Sequence, residues 1–396
     1  IYTTMKIAVI TAFPPSKVTL NEYGYHLVKN FAQKNDVSEV VLLCDRTEQP
    51  KQLDFANSNK VKVNECWSFN SFTNIISISA AIREEKPDAV LINLQFMKFG
   101  DKKVPAALGL MIPVVLRASN VPTVSLLHNI LEQVDLESAG FTDNKIAQKT
   151  YNFIGTSLTK FILKSDVVAV TINKYVEVLE KKYKVKNVKV IPHGTFDSIP
   201  EPSFELAPGL KQIMAFGKFG TYKKVEILID AAIIIRQRST EKIEVVIAGT
   251  DSPNTPGYLA AVQEKYKHVE GLRFTGYVEE SDVPVIFGDS TVVAFPYTST
   301  TGSSGVLHQA GSYGKAVVMP DLGDLALLVE EEGYKGEFFD PESAESLAQA
   351  IEKIINNDSN RKAIAMQNYK AASALSMDKI TEMYMDTFKE IIQSKK

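Results

Sequence analysis

The sequence lacks the features that mark several classes of protein. It has no excess of positive charge, because 44 Lys and Arg residues face 47 Asp and Glu residues. The net charge of -3 argues against a nucleic-acid partner, since nothing is left over to neutralise phosphates. It also holds only 2 Cys and 5 His, and no group of them has metal-ligand spacing. We therefore expect no metal. Cys44 and Cys66 fit a reducing compartment better than a disulfide.

Long apolar segments are missing as well. The longest run, 104–116, is shorter than the roughly 20 residues that cross a bilayer, and Pro113 interrupts it. The segment "AVITAFPPS" after the first apolar run has no GxGxxG pattern, which argues against an oxidoreductase with a dinucleotide cofactor. These observations predict a cytoplasmic protein without a cofactor. They leave open a peripheral contact with the inner face of the membrane.

What the sequence does contain is a repeated alternation of apolar strand patterns and amphipathic helix patterns. Such alternation predicts an α/β fold with doubly wound parallel sheets. The length of 396 residues favours two domains. Pro and Gly cluster between Ile191 and Gly209, where no periodic pattern continues, so the linker is predicted there. The expected domains are 1–195 and 196–375, with a final helix at 376–396 packing back on the first domain.

The most unusual stretch is "PYTSTTGSSGVLHQAGSYG", which begins at Pro296. All eight residues from Thr298 to Gly305 are Thr, Ser or Gly, and a helix pattern follows. The N-terminus of a helix attracts anions through its free N–H groups and its dipole. Lys218, Lys223 and Lys224 follow an earlier strand, so a shared sheet edge would bring these lysines to the same crevice and suit a diphosphate. Each lysine taken alone is also typical of a solvated helix end.

The second half of the chain resembles the retaining nucleotide-sugar glycosyltransferases of the GT-B fold, glycosyltransferase family 4. The segment "FGKFGTYKKVEILIDAA" is similar to that family's "GRxxxxKGxxxLIxA", and "GVLHQAGSYGKAVVMPDLGD" is similar to its "EAMAxGxPVVxxxxGG". In the first half, "VKVIPHG" and "VPTVSLLHN" are similar to "VxVIPNG" and "PxVxTxHD". The resemblance implies two facing Rossmann-like domains with a ligand cleft between them, and a nucleotide sugar as donor substrate.

The resemblance also implies roles for individual residues. His128, Lys218 and Lys223 match the catalytic positions, with the two lysines on the donor diphosphate and His128 on the donor sugar. Asn21 and Glu22 are assigned to the acceptor or sugar side, and His193 replaces a family asparagine. The implied donor-binding residues are Gly217, Gly249, Tyr277, Thr301, Gly302, Ser303, Ser304, Gly305, Val306, Leu307 and Gln309.

Two departures from the family pattern bear on function. Thr301 and Gln309 occupy the positions of two glutamates that in the family bind the donor sugar and the ribose. The implied activity is still transfer of a sugar to a saccharide or lipid-linked acceptor, in polysaccharide or glycoconjugate biosynthesis. The expected donor is a UDP-hexose rather than a GDP-sugar, because UDP-sugars are the more frequent donors in the family. The resemblance implies a retaining, metal-independent reaction. Two alternatives stay open: a catalytically silent protein that binds nucleotide sugars as a partner or sensor, and an epimerase or phosphorylase.

Overall fold

The computed structural model describes residues 4–130, 155–196, 199–300 and 303–396. The chain divides into two compact units. Unit 1 contains the described residues up to 196 together with Met377–Lys396. Unit 2 contains the described residues from 199 to Ser376.

Unit 1 is built on a parallel sheet of seven strands, ordered β3-β2-β1-β4-β5-β6-β7. The strands are β1 (Met5–Ile10), β2 (Val37–Asp45), β3 (Val61–Trp67), β4 (Ala89–Leu94), β5 (Thr123–Leu127), β6 (Val167–Val170) and β7 (Val188–Val190). The labelled helices are α1 (Asn21–Gln33), α2 (Asn74–Glu85), α3 (Lys103–Gly109), α4 (Ile112–Ala118) and α5 (Asn173–Tyr183). Residues 155–162 are helical too, and Ser58–Lys60 form a 3₁₀ turn.

The last helix of the chain belongs to the core of unit 1. This helix, Met377–Ser394, packs against α1, and the rings of Tyr384 and Phe388 lie 6.4 and 6.3 Å from the Phe31 ring. Because these rings are fully buried with the strand residues of β1 and β2, they contribute to the same apolar core.

Unit 2 is built on a parallel sheet of six strands, ordered β10-β9-β8-β11-β12-β13. The strands are β8 (Lys211–Phe219), β9 (Ile243–Asp251), β10 (Leu272–Gly276), β11 (Ser290–Ala294), β12 (Ala316–Pro320) and β13 (Glu337–Phe339). The helices are α6 (Glu226–Arg238), α7 (Tyr258–Lys265), α8 (Val283–Asp289), α9 (Gly305–Ser312), α10 (Gly323–Glu332), α11 (Ala344–Ile355) and α12 (Asp358–Ala374); we call Met377–Ser394 of unit 1 α13. Glu280–Asp282 form a 3₁₀ turn before α8.

Both sheets follow the doubly wound order, which confirms the predicted α/β fold class. In each sheet the strand order reverses next to the first strand of the unit: between β1 and β4 in unit 1, and between β8 and β11 in unit 2. Loops after two strands on either side of such a reversal run in opposite directions and leave a crevice at the carboxyl ends. Ligand sites are therefore expected at the loops after β1, β4, β8 and β11.

Candidate functional site

In unit 2, the loops after β8 and β11 are joined by backbone hydrogen bonds at the reversal point. The N–H of Lys224 donates to the Pro296 carbonyl at 2.9 Å, and the N–H of Thr298 donates to the Tyr222 carbonyl at 2.8 Å. Lys223 forms an antiparallel bridge with Tyr297 between these two bonds. The position of Lys223 is thus set by backbone pairing to a loop more than seventy residues away in the chain.

Helix α9 begins directly beside this bridge. Ser304 is its N-cap, and its hydroxyl oxygen accepts a hydrogen bond from the N–H of Leu307. A serine cap of this kind satisfies one of the free donors in the first helical turn. Within the part of the chain that the structure describes, the N–H groups of Gly305 and Val306 make no hydrogen bond, and both residues line a cavity.

The cavity has a volume of about 100 Å³ and brings the loop bridge and the helix start together. Its lining residues are Tyr222, Lys223, Tyr297, Thr300, Ser303, Ser304, Gly305, Val306 and Leu325. None of these carries a negative charge, so Lys223 faces hydroxyl groups and backbone donors. Burial lowers the pKa of Lys223, with the Tyr222 hydroxyl acting in the opposite direction. A cation that is partly stripped of water, beside free N–H groups, is arranged to bind an anion.

Two glycines let the strands approach this lysine closely. Gly217 of β8 has φ of +130°, and a Cβ there would lie 2.9 Å from the Lys223 ammonium nitrogen. Gly249 pairs with it on β9 with φ of +143°, and a Cβ there would overlap the Gly217 carbonyl oxygen. Both positions require glycine, since side chains rarely adopt such φ values and here they would also clash.

Several sequence-predicted donor residues lie elsewhere. Lys218 is exposed at the end of β8 and does not line the cavity. Tyr277 is 72% exposed, also outside the lining. Gln309 lies half-buried on α9. Thr301 and Gly302 fall outside the described residues. The Leu307 N–H is already bound to Ser304, so it is less available to a ligand than those of Gly305 and Val306.

In unit 1, the residues predicted near the donor sugar form a small aromatic cluster. The Nε2 atom of His128 lies 2.7 Å from the Asn93 Oδ1 atom, and its ring meets the Tyr23 ring edge-on at 4.6 Å. Burial, with smaller contributions from His193 and Lys98, lowers the pKa of His128 well below its usual value. Burial likewise lowers the pKa of His193 to about 4. Both rings are therefore neutral at physiological pH, which suits hydrogen bonding to a neutral group.

A second concavity, of about 790 Å³, lies at the reversal point of the unit 1 sheet. It is lined by Pro15, Ser16, Lys17, Val18, Thr19, Asp45, Arg46, Thr47, Glu48, Gln49, Phe69, Gln95 and Met97. Asn21 and Glu22, which the sequence assigns to the acceptor or sugar side, do not line it. The Asn21 side chain instead donates to the Ser16 carbonyl at 2.6 Å and so holds one loop of the concavity.

Four residues that line the unit 2 cavity were missed by the sequence interpretation. Tyr222, Tyr297, Thr300 and Leu325 line it beside the predicted lysine and serines. The first three lie in the loops after β8 and β11, so their position at strand ends is the signal that could have found them. Leu325 carries no such signal, because it reaches the cavity through a hydrogen bond between its N–H and the Thr300 hydroxyl.

Cys44 and Cys66 are both buried and unpaired. Burial raises the pKa of each thiol, that of Cys66 to about 12, so neither is activated as a nucleophile. Across the described residues, no cluster of His, Cys, Asp or Glu has a metal-binding arrangement. No helix among them combines the length and the apolar character needed to cross a membrane.

Residues 211–357 match the family model described as "Glycosyl transferases group 1". This segment covers the sheet of unit 2 and the whole described cavity. No curated protein matches the chain significantly.

Solved structures of similar fold span both units. Sucrose-phosphate synthase from Thermosynechococcus elongatus has a TM-score of 0.73 at 15% identity, covering 98% of this chain and 100% of that chain. A glycosyltransferase from Rickettsia africae has a TM-score of 0.70 at 16% identity, covering 99% of both chains. Anabaena HepE in complex with UDP-glucose has a TM-score of 0.66 at 18% identity, covering 98% of this chain and 100% of that chain. The fold is therefore that of the GT-B glycosyltransferases, with two Rossmann-like domains.

Proposed function

We propose that the protein transfers a sugar from a nucleotide sugar, a UDP-hexose, to a hydroxyl of a saccharide or lipid-linked acceptor. The observation that carries this proposal is the cavity of unit 2, where Lys223 and the N–H groups of Gly305 and Val306 face the same space and none of the described lining residues is acidic. The cavity lies in the segment that matches the glycosyl transferase model. HepE, a structure of the same fold, was solved with UDP-glucose, which supports UDP as the nucleotide.

The charge that develops in such a transfer explains the need for this arrangement. When the bond from the sugar to the diphosphate breaks, the leaving diphosphate gains negative charge. Lys223 and the two N–H groups would stabilise that charge, and Lys218 would add long-range attraction from its exposed position. Donors that are oriented in advance stabilise a charged leaving group more than mobile water does. This role does not require a metal ion, so we propose a metal-independent reaction.

The stereochemical part of the proposal is retention at the anomeric carbon. The acceptor oxygen would attack on the face that the diphosphate leaves, and a phosphate oxygen would take the acceptor proton. No carboxylate lines the described cavity to act as a nucleophile, which favours this course over a covalent intermediate. His128 is kept as the residue that orients the sugar; its low pKa makes it a neutral hydrogen-bonding group rather than a cation.

The proposal is tested first by ligand binding. The melting temperature of the protein is measured with UDP, GDP, ADP and NAD; a ligand at 100 times its dissociation constant stabilises the folded state by about 2.7 kcal/mol. We expect UDP to give the largest shift, and a shift with NAD alone would contradict the proposal. A panel of UDP-hexoses is then assayed for hydrolysis and transfer, with the anomeric configuration of the product read by NMR and the rate compared with and without EDTA.

A second candidate function is nucleotide-sugar binding without transfer. It is favoured by one sequence observation, the presence of Thr301 and Gln309 where the resembled family has two glutamates. This candidate predicts that a UDP-hexose stabilises the protein but is neither hydrolysed nor transferred by it, whichever acceptor is offered.

A further inference from the structure

His308 connects the donor-facing cavity to a buried polar cluster that the proposed reaction does not otherwise use. The histidine lies on α9, four residues after its N-cap, and is 2% exposed. Its Nε2 atom is 2.8 Å from the hydroxyl oxygen of Ser303, which lines the cavity. Its Nδ1 atom is 2.8 Å from the hydroxyl oxygen of Tyr334, which is 5% exposed. We call these three residues the Ser303 relay.

The contacts of His308 restrain the orientation of the Ser303 side chain. Because both ring nitrogens of His308 are engaged, the ring cannot turn without losing two hydrogen bonds. Tyr334 is fixed in turn, since its ring lies against Gly311 on the next turn of α9, where a Cβ would come within 2.8 Å of it. Glu332 lies beside this cluster, with a carboxyl oxygen 3.6 Å from Nδ1 of His308. The orientation of the Ser303 hydroxyl is therefore determined by groups that a ligand does not touch.

The other serine and threonine hydroxyls of the cavity are used by the protein itself. The Thr300 hydroxyl donates to the Leu322 carbonyl and accepts from the Leu325 N–H. The Ser304 hydroxyl accepts from the Leu307 N–H as the helix cap and is also hydrogen-bonded to the Tyr297 hydroxyl. Ser303 differs, because among the described residues its hydroxyl has one hydrogen-bond partner, His308, which leaves further hydrogen-bonding capacity toward the cavity.

We propose that the Ser303 relay recognises a hydroxyl group of the donor sugar, with His308 as the positioning residue and Ser303 as the group that touches the sugar. This inference rests on the proposed function and adds to it the recognition of the sugar. Lys223 and the N–H groups at the helix start are donors only, so they suit phosphate oxygens. A serine held by imidazole offers a donor or an acceptor according to the ring tautomer. A sugar hydroxyl is both donor and acceptor, so it matches Ser303 in either state, whereas a phosphate oxygen matches in one.

The experiment compares two ligands on the full chain. Isothermal titration calorimetry measures the dissociation constants of UDP and of the UDP-hexose that raises the melting temperature most. Ser303→Ala and His308→Phe are each expected to weaken UDP-hexose binding about 3- to 10-fold, the size of one neutral hydrogen bond. UDP binding should change by less than about twofold. Because the two residues act as a unit, the double variant should bind the UDP-hexose no more weakly than the weaker single variant.

The matched control is Ser312→Ala. Its hydroxyl donates to the His308 carbonyl on the same helix but lies outside the relay, so both ligands should bind as in the unaltered protein. If His308→Phe fails to fold, Tyr334→Phe takes its place, alone and in the double variant with Ser303→Ala. Equal losses for UDP and the UDP-hexose, or losses that add in the double variant, would overturn the relay. If the unaltered protein binds neither ligand, the proposed function itself is wrong.

Discussion

The ammonium nitrogen of Lys223 lies 4.8 Å from the centre of the Tyr297 ring, and the two residues are also paired through their backbones. A cation over an aromatic face is stabilised without a counter-anion. Burial of the Tyr297 hydroxyl raises its pKa, so this ring stays uncharged over the physiological range. The aromatic contact therefore holds the lysine in place while leaving its charge for a ligand.

Replacement of Lys223 tests this arrangement. Lys223→Ala should weaken UDP binding about 10- to 100-fold, because a hydrogen bond to a charged group contributes about 1.5–3 kcal/mol. The dissociation constant is measured by isothermal titration calorimetry. Lys218→Ala is the matched control, and since Lys218 is exposed and outside the cavity lining, its loss should be several-fold smaller and should fade with added salt. A larger loss for Lys218→Ala would refute our placement of the site.

Gly249 tests the close packing beneath the lysine. Gly249→Ala should lower the free energy of unfolding by about 2–4 kcal/mol, because the new methyl would meet the Gly217 carbonyl at an unfavourable φ. Urea denaturation measures the change. Gly288→Ala is the control: this helical glycine has no neighbour within 4 Å of an added Cβ, so alanine should leave stability unchanged or raise it by up to about 1 kcal/mol. Similar effects of the two substitutions would argue against the strand contact.

Glu332 should make stability depend on pH. Burial raises the pKa of this carboxyl to about 8, above its usual 4.5, so the folded protein keeps a proton that the unfolded chain releases. The stabilising effect of that proton is complete below about pH 4.5 and is lost as the pH rises to about 8, by about 1.4 kcal/mol per unit of pKa difference.

Glu332→Gln removes this titration and keeps the shape of the side chain. Denaturation of both proteins at pH 5 and pH 8 should show the variant gaining stability relative to the unaltered protein as the pH rises. A difference between the two proteins that stays constant with pH would mean that Glu332 is ionised in the folded state throughout.

Lys98 should make the stability of the protein depend on pH in the opposite direction. Its side chain is fully buried beneath the loop after β1, where its ammonium group donates to the Thr19 carbonyl at 2.9 Å. Burial lowers its pKa to about 7, with the charge of Asp45 opposing the shift. The unfolded chain holds the proton up to about pH 10.5, so stability contributed by this site rises between pH 7 and 10. The free energy of unfolding of Lys98→Met, relative to that of the unaltered protein, should be highest at pH 6 and lowest at pH 10, as measured by urea denaturation. The reverse trend would contradict a lowered pKa for Lys98.

Strands that are buried on both faces have the sequence patterns that predict a strand most clearly. Runs such as "VVLLCD" and "STVVAFP" are apolar almost throughout, because parallel strands covered by helices on both sides expose nothing to water. The sequence of β3, "VKVNECW", does not predict a strand, because this edge strand is partly exposed and carries polar residues among the apolar ones. β13 has three residues, too few for a pattern. The segment 104–116, which is too short to cross a bilayer, is divided between the short helices α3 and α4.

The sequence by itself determined the α/β alternation and the identity of the groups that can bind an anion, because apolar periodicity, the serine cap of α9 and the lysine charges are local properties. Only the tertiary structure decided which lysine faces the helix start: Lys223 is directed there by its bridge to Tyr297, whereas Lys218 is exposed at the end of its strand. The partnership of His308 with Tyr334, 26 residues apart, depended on the fold in the same way. Such relationships depend on distances between segments remote in the chain, and local sequence patterns carry no information about those distances.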